Sequence, residues 1–148
     1  MHLTTTAWLP ASREQVFSFF ADARNLERLT PPWLHFRILT PGAIDMRTGA
    51  QIDYRLKLHG IPLRWRSVIA GWDPPRRFVD EQTSGPYRRW VHTHTFEEEN
   101  GGTRVGDAVE FDVIASRLTG WFVMRDLRRI FAYRHETLIR IFGNRTIE

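Results

Sequence analysis

The 148-residue chain has no cysteine, which excludes a disulfide framework, a Cys-ligated zinc or iron–sulfur centre and a thiol nucleophile. Lysine is almost missing too, since of the 21 basic residues only Lys57 is not arginine. No stretch approaches the roughly eighteen uninterrupted apolar residues of a membrane span. The start Met1-His2-Leu3-Thr4 lacks the charged segment and apolar run of a secretory leader. A cytoplasmic protein with no stable membrane insertion is therefore the expectation. No block of like charge stands out behind the net charge of +4. The closest approach to a basic face is Arg125, Arg128, Arg129, Arg134 and Arg140, which reads as solvated surface rather than a nucleic-acid contact. There is no Gly-rich phosphate loop, because Gly101-Gly102 fits a hairpin turn, and no serine on a strand-to-helix elbow. No cofactor is expected, and oligomeric state is left open.

What is present reads as one domain, residues 1–148, with 42% hydrophobic and 26% charged residues, enough to bury a core. Leu3, Thr5, Ala7 and Leu9 alternate with polar partners up to Pro10, which predicts a first strand. Ser12, with Gln15 three residues on, predicts a capping box and a helix to about Ala21, burying Val16, Phe17 and Phe20. A second short helix, Asn25 to Leu29, ends before Thr30-Pro31-Pro32, since a residue preceding proline is pushed out of the α region. Strands are expected near Leu34–Leu39, Gln51–His59, Leu63–Trp72, Arg77–Thr83, Tyr87–Glu98 and Arg104–Val113. Short Gly-, Pro- and Asn-containing links between them suit an antiparallel meander. From Thr119 to about Phe142 the period becomes helical, with Met124, Leu127, Phe131, Leu138 and Phe142 on one side and Gly143 as the stop.

This order, a strand, two short helices, six strands and a long helix, is that of the helix-grip α+β fold. The stretches Asn25 to Trp33, Phe78 to Gln82, Gly85 to Phe96 and Gly101 to Asp107 resemble the SRPBCC superfamily, which includes START lipid-binding domains and polyketide cyclases. The similarity is strongest to small bacterial members described as cyclase/dehydrase or coenzyme-Q-binding START-type proteins. It implies a seven-stranded curved antiparallel sheet wrapped around the C-terminal helix, with a void between them for a small apolar ligand such as a lipid, an isoprenoid quinone or an aromatic polyketide-like metabolite.

Strand parity places Trp90, His92, His94 and Phe96 on one face. Phe78, Asp80 and Gln82 share a face on the strand before, and Val105, Asp107 and Phe111 on the strand after. If the apolar members point inward, His92, His94, Asp80, Asp107 and Gln82 are polar groups in the interior, which must find partners. Three uses compete: a self-satisfied Asp–His network, orientation of a ligand's polar head, or acid/base catalysis of a cyclisation or dehydration by a His poised by Asp. His-x-His with Asp80 or Asp107 has the donor types of a metal site, but the same carboxylates equally well orient the histidines, and no metal is assigned. His2, His35, His59 and His135 read as ordinary. The proposed ligand-binding set is Tyr54, Leu56, Trp65, Phe78, Gln82, Trp90, His92, His94, Phe111 and Phe131. Alternation adds Ile52, Leu58, Leu63, Ser67 and Ile69 to the inner faces of their strands. The loops around Ile114 to Gly120 and Gly60 to Pro62 would govern access. A protein-interaction surface near Trp121 and Phe122, or Pro31-Pro32-Trp33, is a further alternative.

Overall fold

Alternation of buried and exposed side chains along the strands builds the sheet. In the computed structural model, which describes residues 1–114 and 117–143, the elements are β1 (His2–Leu9), α1 (Arg13–Ala21), α2 (Asn25–Leu29), a 3-10 turn (Pro32–Leu34), β2 (Arg37–Ile38), β3 (Gln51–Leu58), β4 (Ile61–Asp73), β5 (Arg77–Ser84), β6 (Arg89–Glu99), β7 (Gly102–Asp112) and α3 (Arg117–Gly143). The seven strands form one antiparallel sheet in the order β1-β7-β6-β5-β4-β3-β2. The meander is thus completed by the first strand lying beside the last. Among the described residues, no helix is long and apolar enough to cross a membrane.

Local chemistry explains most boundaries. Ser12 accepts from the Gln15 backbone N–H at 3.2 Å, and its own N–H donates to the Gln15 side chain at 3.3 Å, so the capping box forms as expected. The β3–β4 and β6–β7 links are two-residue turns, His59-Gly60 and Asn100-Gly101, with φ of 51° and 81°, and 49° and 76°. Positive φ at both positions is what matches a tight hairpin to strand twist. The strand expected at Leu34–Leu39 shrinks to Arg37–Ile38. Pro31-Pro32 instead start a 3-10 turn that carries Leu34 into the core, and His35 leaves it in the left-handed region at φ 47°. The access loop expected at Ile114 to Gly120 lies partly outside the described residues.

β4 carries two register shifts, at Arg66/Ser67 and at Ile69/Gly71. The second leaves Ala70 as an extra residue, which reverses parity and brings Trp72 to the inner face. There Trp72 meets Phe17 and Phe78 at 5.1 and 5.5 Å between ring centroids. At about 1.5 Å per residue, the 27 residues of α3 cross the whole concave face. The core falls into two apolar clusters. One gathers Phe17, Phe20, Phe78, Phe96, Leu138 and Phe142. The other gathers Tyr54, Trp65, Trp90, Phe111, Leu127 and Phe131. Along β6, His92 and His94 lie between Trp90 of one cluster and Phe96 of the other. On α3, Arg134 occupies the corresponding place between Phe131 and Leu138. A buried polar belt therefore divides the core.

Candidate functional site

Register decides what the two histidines can reach. Asp80 of β5 sits directly opposite His92, and Asp107 of β7 directly opposite His94. Each ring nevertheless reaches past its neighbour to the diagonal carboxylate. His92 Nε2 bonds Asp107 Oδ1 at 2.7 Å, and His94 Nε2 bonds Asp80 Oδ2 at 2.6 Å. The crossing stacks the imidazoles, with centroids 3.7 Å apart at 26°. Phe78 covers the other face of His94 at 4.0 Å and 12°, while Phe131 meets His92 edge-on at 5.4 Å. The Nδ1 atoms face the opposite carboxylates at 3.8 Å (His92 to Asp80) and 3.7 Å (His94 to Asp107).

Burial sets the charge states. His92 and His94 are only 5% and 4% exposed. Loss of solvent, together with the neighbouring His92, pushes His94 down from 6.5 to about 4, against the pull of both carboxylates. Near neutral pH its ring is uncharged and Nε2–H donates to Asp80. Burial alone would raise Asp80, but the His94 hydrogen bond and the charges of His92 and Arg134 hold it below the usual carboxylate range. Asp107 is held well below that range in the same way. Burial opposes its ionisation, and His135, His92 and Arg134 outweigh it. His92 is the closer imidazole, since His135 Nε2 stands 3.7 Å from Asp107 Oδ2. Thr5 donates to the same oxygen at 3.4 Å and bonds His135 at 3.2 Å.

Asp80, His92 and His94 offer three ligand atoms within 4.8 Å of one another. An ion needs in-plane ring lone pairs that converge, whereas stacked rings direct theirs along near-parallel planes. Holding one here would require the stack to open.

Beside this cluster, sheet and helices line a half-open cavity of about 180 Å³. All eight inner residues expected on β3 and β4 line it: Ile52, Tyr54, Leu56, Leu58, Leu63, Trp65, Ser67 and Ile69. Phe78, Trp90, His92, His94 and Phe131 line it as well, with Asp80 at the polar end. Tyr54 stacks on Trp65 at 5.6 Å, and its hydroxyl lies 3.4 Å from Ser67 Oγ. Burial, with Asp80 nearby, keeps that phenol well above its ordinary value and so protonated.

Gln82, Phe111 and Asp107 are not brought to the cavity wall. Phe111 packs behind Trp90 and Tyr87, 1% exposed. Gln82 turns to the β5–β6 loop, where Nε2 donates to Tyr87 O at 2.7 Å and Oε1 accepts from Tyr87 N at 3.0 Å. Its effect on the cavity is indirect, because the braced Tyr87 becomes a wall residue lying 5.4 Å from Trp65 and 4.8 Å from Trp90.

Three further residues border the cavity or the His–Asp cluster without belonging to the expected site: Tyr87, Arg134 and His135. Arg134, grouped there with surface arginines, is 6% exposed and lines the cavity, so the five arginines share no basic face. The signal was a gap: the apolar stripe of α3 skips from Phe131 to Leu138, and the turn between them carries Arg134 and His135. His59 does lie at the surface, where it bonds Asp126 at 2.6 Å and ties the β3–β4 turn to α3. Trp121, Phe122 and Trp33 are exposed as expected.

A family model described as polyketide cyclase/dehydrase and lipid transport matches residues 9–133. A search of curated proteins found no match. Among solved structures, the ZhuI aromatase/cyclase from a Streptomyces species superposes with a TM-score of 0.76 at 16% identity, covering 98% of this chain and 94% of that one. A protein from Mycobacterium smegmatis gives 0.72 at 20% identity, with 97% and 91% covered. A nucleoside-diphosphate sugar epimerase from Corynebacterium glutamicum gives 0.64 at 30% identity, covering 93% of this chain but only 28% of the epimerase.

Proposed function

The chain belongs to the polyketide cyclase/dehydrase and lipid transport family, and from that premise we propose that it binds a small hydrophobic ligand between the sheet and α3. The ligand's polar group lies at the His92–His94–Asp80 end. The supporting observation is the make-up of the lining: Tyr54, Trp65, Trp90 and Phe131 supply aromatic walls, and Asp80, His92 and His94 form a cluster of ionisable groups among them. Pockets of this kind take affinity from apolar area and orientation from a few convergent polar groups. A lipid, an isoprenoid quinone or an aromatic polyketide-like metabolite meets that description, and a sugar does not. The test is titration with Nile red, a neutral apolar dye. Binding at low micromolar concentration that weakens at least tenfold in Trp65→Ala and Phe131→Ala supports the proposal. Binding that both substitutions leave unchanged contradicts it.

A second reading is acid/base catalysis, as in an aromatase/cyclase or dehydratase. It is favoured by the His94–Asp80 pair, in which a carboxylate fixes the tautomer of a neutral imidazole bordering the cavity. Its test is turnover of a polyketone substrate that is lost in His92→Ala or His94→Ala while ligand affinity is kept.

A further inference from the structure

Arg134 is a buried cation with unmet hydrogen-bonding capacity. Its guanidinium lies over the Phe131 ring at 5.3 Å and the Phe20 ring at 6.0 Å, and the residue lines the cavity. Nε has no hydrogen-bond partner among the described residues. Nη2 faces Asp107 Oδ1 at 3.6 Å, beyond hydrogen-bond reach, and that oxygen already accepts from His92 at 2.7 Å. Asp107 thus balances the charge without satisfying the donors. A guanidinium carries five N–H donors, no acceptor, and cannot shed its proton. An acceptor in the cavity that Arg134 lines can complete it.

Charge narrows what that acceptor is. Asp80 and Asp107 against Arg134 leave one net negative charge at this end before any imidazole is protonated. A carboxylate brought in by a ligand would add a second negative charge in a poorly solvated place, where uncompensated charge is costly. A neutral carbonyl oxygen adds none and still accepts.

We propose that Arg134 is the specificity-determining residue of the cavity, donating to a neutral carbonyl oxygen of a flat apolar ligand and discriminating against carboxylates. The assignment rests on the cavity being a ligand site. It separates ketones and quinones from fatty acids within the classes that the apolar walls would admit.

Three naphthalenes substituted at the same ring position test it: acetylnaphthalene, isopropenylnaphthalene and naphthoate, each titrated calorimetrically into the full chain. The ketone is expected to bind about tenfold more tightly than the isosteric hydrocarbon, as one charge-assisted hydrogen bond gives, and naphthoate no more tightly than the hydrocarbon. Arg134→Met should abolish the ketone's advantage over the hydrocarbon. Should the Met variant fail to fold, Arg134→Gln, which keeps neutral donors, must still reduce that advantage. Equal affinity for ketone and hydrocarbon, tightest binding of naphthoate, or a ketone preference that survives both substitutions overturns the assignment while leaving the cavity a ligand site. Failure of all three probes to bind overturns the ligand site itself.

Discussion

Acid should loosen this protein well before its carboxylates titrate, and His94 is the reason. Unfolded, its imidazole takes up a proton near pH 6.5; folded, between Phe78 and His92 and shut off from water, it does so only near pH 4. Between those values the unfolded chain binds more protons than the folded one, so stability rises with pH across the window and falls on acidification. At about 1.4 kcal/mol per pH unit, the drop from 6.5 to about 4 amounts to about 3–4 kcal/mol, a large share of the roughly 5–15 kcal/mol of a typical domain. Below that window Asp80 and Asp107, both depressed in the fold, should extend the loss as pH falls through their folded values. The assay is urea denaturation at a series of pH values, comparing the wild type with His94→Gln. Glutamine can still donate to Asp80 but does not titrate, so the variant should lose most of the slope between about pH 6.5 and 4. An unchanged slope in the variant, or a wild type equally stable across the window, would refute the reasoning.

Other substitutions separate scaffold from site. Phe96→Ala, at 1% exposure and in ring contact with Phe17 and Phe20, should cost about 3–5 kcal/mol by urea denaturation, without changing Nile red affinity. Ser12→Ala removes one half of the capping box and should cost about 1 kcal/mol by thermal unfolding, again leaving the cavity alone. Gln82→Ala releases the two bonds that fix Tyr87; Nile red affinity should drop several-fold although Gln82 does not border the cavity, and an unchanged affinity would mean that Tyr87 is not a binding wall.

Alternation carried the fold a long way. Period-2 runs placed every long strand within a few residues, because each has one wet and one dry face, and the same parity put eight side chains of β3 and β4 on the cavity wall. It failed where backbone chemistry interrupts the period. The Pro31-Pro32 turn consumed most of the expected second strand, and beyond Ile69, where the inner-face reading of β4 ends, the extra residue Ala70 shifts the register. Parity also brought His92, His94, Asp80 and Asp107 together, but it cannot say that each histidine bonds its diagonal carboxylate and not its direct neighbour, which depends on side-chain reach. Gln82 shows the same limit: the inner face was right, yet the amide turned to the adjacent loop. Arg134 was hidden because hydropathy patterns treat a charged residue on a helix as solvated, and only packing of α3 against the sheet reveals it as buried.

The most direct test of the central claim is native mass spectrometry of the protein purified from its own host, with organic extraction to identify whatever travels with it. A small apolar molecule at near-stoichiometric occupancy, displaced by the aromatic ketone probe, is the expected result. A protein that arrives empty and takes up no apolar probe would contradict the claim, leaving the His–Asp cluster as scaffold.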